Sequence, residues 1–231
     1  MRSKKCHYVC IIALLLASPS IWAGDIASFV DLGFSPDGLT YMFGQYGIQS
    51  QTLKPWADLY VVDVARNNFV NGGRLTFVHS NPVVAGQDGS GALYGLIARN
   101  TALADRYKIS FLLQGQLLYL ALDPPPLVET IEFRDFERNI VYKAYLTPAV
   151  EGSGATLKSS FFIRLERTLT NGSQKTYIIG NPQIKRPLID AYRIKKVMVA
   201  PRGGAIIFVI STSTPTAKGP DVRYMVEALS L

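Results

Sequence analysis

Cysteine and histidine are almost missing from this chain. Its 231 residues include two cysteines, Cys6 and Cys10, and two histidines, His7 and His79, and all but His79 fall in the first ten positions. The body of the chain therefore lacks the ligands for a Cys/His zinc site and the pairs for a disulfide framework. Long apolar runs are missing too. After the N-terminus no stretch approaches the roughly 20 apolar residues that a membrane span needs. The phosphate-binding signatures fail residue by residue. GQDGSGALYG (86–95) is glycine-rich, but no Lys-Ser/Thr pair follows it, and Tyr94 stands where the third glycine of G-x-G-x-x-G belongs. Ser90 and Ser153 each lie between glycines, yet Asp88 and Glu151 occupy the first glycine position of G-x-S-x-G. No calcium-loop pattern is present. No metal and no cofactor is expected.

What is present begins with a leader. Arg2, Lys4 and Lys5 precede the apolar run VCIIALLLA (9–17), Pro19 breaks it, and Ile21 and Ala23 occupy the −3 and −1 places of a cleavage site. That order predicts a signal peptide over 1–23 and a body over 24–231, periplasmic or secreted. Cys10 lies inside the apolar run, whereas a lipid-modified cysteine follows it, so a lipoprotein is not expected. Three of the 24 basic residues and none of the 17 acidic ones leave with the leader, and the net charge falls from +7 to +4. A cysteine-free body must be held by its apolar core. A chain of this size can bury about 70% of its unfolded surface, enough for one.

The body reads as mainly β. Short runs rich in Val, Ile, Phe and Tyr alternate with Gly, Pro, Asn and Asp, with strands expected near 27–35, 40–47, 58–65, 74–80, 109–114, 117–122, 129–136, 139–146, 158–169, 175–180, 193–200, 205–211 and 221–231. Ile131 and Phe133 fall on one face and Glu132 and Arg134 on the other, the period of a half-buried antiparallel sheet. Asn171-Gly172 predicts a tight hairpin with both residues at positive φ. One amphipathic helix is expected over 89–108, with Leu93, Leu96, Ile97, Ala104 and Tyr107 on its apolar stripe and Asp88 or Ser90 as cap. No linker divides the chain, so a single β-rich domain over 24–231 is expected.

One pattern occurs twice. FSPDGLTYMFG (34–44) overlays VAPRGGAIIFV (199–209) without a gap, matching Pro36 to Pro201, Gly38 to Gly203 and Phe43 to Phe208. Downstream, YVVDV (60–64) overlays YMVEA (224–228), with loops one residue different in length. In the first turn Pro36 presets φ, Asp37 bonds its own backbone and Gly38 takes the left-handed position. Related units are thus expected near 27–80 and 193–231. The FSPDG turn, with LYVVDVA and GGRLT after it, resembles a blade of the β-propellers in Tol-system periplasmic proteins and, more distantly, WD-repeat proteins. The stretches FVDLGFSPDGLTYMFGQYG and ADLYVVDVARNNFVNGG also resemble an uncharacterised family of predicted secreted bacterial proteins. The resemblance implies export and propeller-like antiparallel sheets with one inserted helix. The alternative is a β-sandwich, because the helix and the long middle strands do not read as blades.

Candidate functional residues are few. Glu129, Glu132, Asp135 and Glu137 are interleaved with Arg134 and Arg138, which reads as an exposed mixed-charge sheet face. Lys185, Arg186, Arg193, Lys195, Lys196 and Arg202 make 185–202 basic, relieved by Asp190. That segment suits anionic lipid headgroups or an acidic partner. Its plainer reading is a solvated sheet edge kept from aggregating by lysines. Trp56, in a proline-containing loop near Tyr46, is read either as a platform for a glycan or partner or as a plug at the end of a sheet. His79 ends a strand on the face of Leu75 and Phe77, where packing is the plainer role and general base the sharper one. The expected function is that of an exported, non-enzymatic interaction or scaffold module for another envelope protein. A glycan- or peptide-binding module is the alternative, and a hydrolase using His79 stands behind both. Nucleic acid is not an expected partner of an exported chain.

Overall fold

A computed structural model describes residues 24–84, 86–122 and 130–231. The leader assigned to 1–23 lies outside the described residues, as do Glu129 and the proline run at 124–126. The N-terminal sheet is a meander of β1 (Ser28–Phe34), β2 (Thr40–Ile48), β3 (Pro55–Asp63) and β4 (Asn68–Val78), in sequence order. Two helices follow, α1 (Ser90–Arg99) and α2 (Thr101–Arg106), then β5 (Gln116–Leu120). The outer sheet comprises β6 (Thr130–Asp135), β7 (Ile140–Glu151), β8 (Lys158–Thr168), β9 (Gln174–Ile179) and the short β10 (Arg186–Pro187). β11 (Ala191–Val199), β12 (Ala205–Thr214) and β13 (Asp221–Ser230) complete the central sheet, whose order is β13-β12-β11-β5.

The central sheet carries the architecture. β12 is buried on both faces over Ala205–Thr212, which is why AIIFVIS shows no polar alternation. Ile206, Phe208 and Ile210 pack toward the outer sheet with Phe133, Tyr142, Phe161 and Ile163. Ala205, Ile207 and Val209 pack toward the N-terminal sheet with Phe34, Tyr41, Phe43 and Val62. The opposite face of the N-terminal sheet, through Met42, Leu59 and Val61, receives Leu93 and Leu96 of α1 and Ala104 of α2. The result is four layers: helices, N-terminal sheet, central sheet, outer sheet. These are antiparallel sheets stacked in the manner of a sandwich, and no closed propeller forms among the described residues.

Both Pro-x-Gly segments reverse the chain between antiparallel strands, with the same hydrogen bonds. Ser35 N–H bonds to Thr40 O (2.9 Å) and Gly38 N–H to Ser35 O (2.8 Å); Ala200 N–H bonds to Ala205 O (2.9 Å) and Gly203 N–H to Ala200 O (2.9 Å). The overlay fails further on. Tyr60 pairs with Phe43, whereas Phe208 pairs with Glu227 and Tyr224 with Ser211. The β12–β13 hairpin is longer from turn to loop, so equal spacing in sequence does not mean equal register.

Other expectations are corrected. The single helix is two, because the Asn100 carboxamide bonds to Leu96 O and its N–H to Ile97 O, closing the first. The 109–114 run is not a strand; Ser110 makes only an isolated bridge to Phe34. At the β8–β9 hairpin only Gly172 has positive φ, and a wider loop closes between Leu169 and Ser173. Asp135 is fully buried on the face of Ile131 and Phe133, not on an exposed charged face. Burial pushes its carboxyl up, but Arg138 at 2.9 Å and the Arg138 N–H outweigh that and hold it below the usual range.

Candidate functional site, a lysine cleft between two sheet edges

In β11 the residues Tyr192 and Ile194 alternate onto the face toward the outer sheet, and Val197 lies on that same face. Strict alternation would skip from 194 to 196. An extra residue intervenes: Ile194 pairs with Ile210 and Lys196 with Val209, leaving Lys195 as a β-bulge. The bulge turns two consecutive lysines into one cleft. That cleft, of about 500 Å³, is walled by Ser28, Phe29 and Asp31 of β1 and by Leu120 of β5. A second bulge, between Asp31 and Gly33 of β1, sets Asp31 against it.

Asp31 joins two partners: the Lys196 ammonium bonds to Oδ2 and the Tyr41 hydroxyl donates to Oδ1. Tyr41 is fully buried, and burial first, then the Asp31 charge, pushes its phenol well above the usual range, so it remains a neutral donor. Lys195 Nζ reaches Ala121 O at 3.3 Å. Among the described residues, two ammoniums and one carboxylate meet in the cleft. Two apolar side chains that line it are exposed, Ile26 at 59% and Leu120 at 55%. Such a site offers charge-assisted donors beside an apolar contact surface, the means to hold a carboxylate or phosphate attached to something greasy.

The other residues expected to bind are elsewhere. Lys185 pairs with Glu151. Arg186 lies 3.6 Å from Glu227 and 5.2 Å over the Phe161 ring. The Nε of Arg193 is buried without a hydrogen-bond partner. β11 is an interior strand between β12 and β5, whereas Arg186 lies in β10 at the edge of the outer sheet with Lys185 beside it, so the basic run is not one continuous surface. Trp56 lies in β3 rather than in a loop and is 5% exposed; its Nε1–H bonds to Asp25 at 3.0 Å, and the Arg223 guanidinium covers its ring at 3.9 Å. Arg223 in turn bonds to Asp25 at 2.7 Å. An indole closed in this way presents no platform to a sugar. Tyr46 stands opposite Ala57, one pair on from Trp56, so it points to the other face of the sheet, among the residues beneath the helices. His79 follows β4, exposed, with Nδ1 accepting the Asn81 N–H at 3.1 Å.

A second cleft, of about 390 Å³, opens where the three sheets meet. At its base Asn67 donates to the buried Glu227 carboxylate (2.5 Å) and accepts from Ala228 N–H (2.7 Å), while Arg186 approaches from the outer sheet. Burial raises the Glu227 carboxyl above the ordinary range despite these contacts. Sequence reasoning missed Asp31, Tyr41, Leu120, Asn67 and Glu227. Only the bulge left a trace, as two lysines interrupting the spacing from Ile194 to Val197.

The family described as "Predicted secreted protein (DUF2259)" matches residues 42–230. No curated protein and no solved structure matches the chain. Among the described residues no helix is long and apolar enough to cross a membrane.

Proposed function

Since the chain belongs to this family of predicted secreted proteins, we propose that it is an exported, non-enzymatic interaction module whose lysine cleft receives another protein of the cell envelope. One observation carries the reading: a β-bulge delivers Lys195 and Lys196 together into a cleft between two sheet edges, rimmed by exposed leucine. Bulges re-aim side chains next to functional sites, and charged groups on a contact surface select partners of complementary charge. A photo-crosslinking residue at Leu120 is expected to capture one envelope protein in cells, and Lys195→Glu is expected to abolish the capture. The same probe at Val84, exposed and outside the cleft, serves as control. Capture that is absent, or equal from both positions, sinks the reading. Flotation with anionic phosphatidylglycerol vesicles tests the competing occupant, because lipid headgroups would use the same lysines. Lysine-dependent flotation without protein capture would assign the cleft to lipid.

The glycan reading moves away from Trp56 to the second cleft. There Phe69 is 42% exposed beside Asn68, Asn181 and Arg66, one face of its ring stacked on Tyr60 at 5.4 Å. Calorimetric titration with envelope oligosaccharides tests it, with Phe69→Ala expected to remove any binding seen.

A further inference from the structure

β13 ends the central sheet on the side away from β5. Its outward N–H groups recur at every second residue, and each finds its own partner. Val222 N–H bonds to Asp25 O at 2.9 Å, Tyr224 N–H to the Gln45 side-chain oxygen at 2.7 Å, and Ala228 N–H to the Asn67 side-chain oxygen at 2.7 Å. The same count turns Val226 N–H outward, and no described residue accepts from it. In an antiparallel strand the N–H and C=O of one residue point the same way, so both face outward at Val226. Met225 packs toward the outer sheet and Val226 toward the N-terminal sheet, yet both line the second cleft. The cleft therefore lies across the edge of β13, at its one open residue.

That opening selects the ligand. Gln45 and Asn67 already hold the amides two residues to either side, and Asn67 is fixed there by its bond to the buried Glu227 carboxylate (2.5 Å). An added strand would find its next bonding positions taken. One N–H beside one C=O complements a single secondary amide, whose oxygen accepts and whose nitrogen donates. The surroundings suit a sugar that carries it. Asn68 and Asn181 spend their side-chain oxygens on the Phe69 and Gln183 N–H groups (2.8 and 2.9 Å), which leaves amide donors for hydroxyls. Phe69 supplies apolar contact for ring carbons or a methyl group. The volume of about 390 Å³ is that of a small-ligand site. Resting on the glycan reading of this cleft, we infer that its ligand is an N-acetylated aminosugar. The acetamido group pairs with Val226 N–H and C=O where a neighbouring strand would otherwise lie.

The probes are the methyl glycosides of N-acetylglucosamine and glucose, an analogue in which an acetyl ester replaces the acetamide, and N-acetylalanine methylamide as a peptide. The ester keeps the carbonyl and lacks the N–H. Titration of the isotope-labelled mature chain, followed by nuclear magnetic resonance, gives each affinity and reads the Val226 amide directly. The acetamido sugar is expected to bind about tenfold tighter than the glucoside, with the ester between them, and to slow hydrogen exchange at Val226. Val226→Pro should erase the preference, since an edge strand tolerates proline where the N–H faces outward. The Val226 signal of the natural chain makes the same test without a substitution. Equal binding of the three sugars overturns the inference and leaves the glycan reading standing. Failure of every sugar to bind overturns both. An acetamido preference with the Val226 amide unmoved overturns the pairing. Tighter binding of the peptide assigns the cleft to peptide and overturns the inference.

Discussion

Gly38 and Gly203 hold equivalent left-handed places in two hairpin turns, at φ +74° and +73°, yet different obstacles await a methyl group at each. In either position alanine carries a backbone cost of about 1–2 kcal/mol for left-handed φ. At Gly38 the new carbon would also meet the carbonyl oxygen of Pro201 at 2.6 Å, backbone belonging to the other turn. Forced overpacking of that kind adds about 1–3 kcal/mol, so Gly38→Ala should cost about 2–5 kcal/mol. At Gly203 the obstacle is the Arg138 guanidinium, whose Nη2 lies against the place the new carbon would take. That group is held by the fully buried Asp135. Alanine there must push aside an engaged but flexible side chain. In an Arg138→Ala background Gly203→Ala should fall to the bare backbone cost of about 1–2 kcal/mol, whereas Gly38→Ala should keep its full cost. Urea denaturation of the mature chain, followed by the fluorescence of Trp56, measures all four combinations. If removing the Arg138 side chain gives Gly203→Ala no relief, or relieves Gly38→Ala equally, the assignment of the two obstacles is wrong.

Asp25→Ala leaves both the indole N–H of Trp56 and the Arg223 guanidinium without their shared carboxylate. Breaking a buried pair costs about 3–5 kcal/mol, but Arg223 is a third exposed, so water screens it and a loss of about 2 kcal/mol is expected. A shifted Trp56 emission maximum checks it, and unchanged stability and emission would refute the latch. Arg202 sits at φ 67° without being glycine; Arg202→Gly should raise stability by about 0.5–1 kcal/mol, the left-handed strain relieved less the added entropy of the unfolded chain. For Glu227, burial raises the folded-state value above 4.5, so the folded chain keeps a proton that the unfolded chain has released. Its contribution to stability is therefore present below about pH 4.5 and lost as pH rises through the folded value. The stability of the natural chain relative to Glu227→Gln should decline over that rise. A flat or rising difference would mean that the carboxylate is well solvated or fully compensated by Arg186.

How far a residue could be read depended on whether its role was local. Period-2 alternation in β6 placed Ile131 and Phe133 on the core face, and by the same count Asp135 belongs there, although its charge suggested otherwise. The unbroken apolar run of β12 marked a strand buried on both sides. Trp56 misled because a proline beside it suggested a loop, while Pro55 in fact begins a strand, where its missing N–H is tolerated. The basic run misled because ion pairs with Glu151, Glu227 and Asp31 come from strands far away in sequence.

Strand content, the two Pro-x-Gly reversals and the shortage of metal-binding side chains were settled by the order of residues, since turn geometry and side-chain alternation act over a few neighbours. The stacking of three sheets and the bulge that brings Lys195 and Lys196 into one cleft were decided only on folding. Each depends on which distant strand lies alongside, and that choice is made by packing across the whole core, not by any local preference.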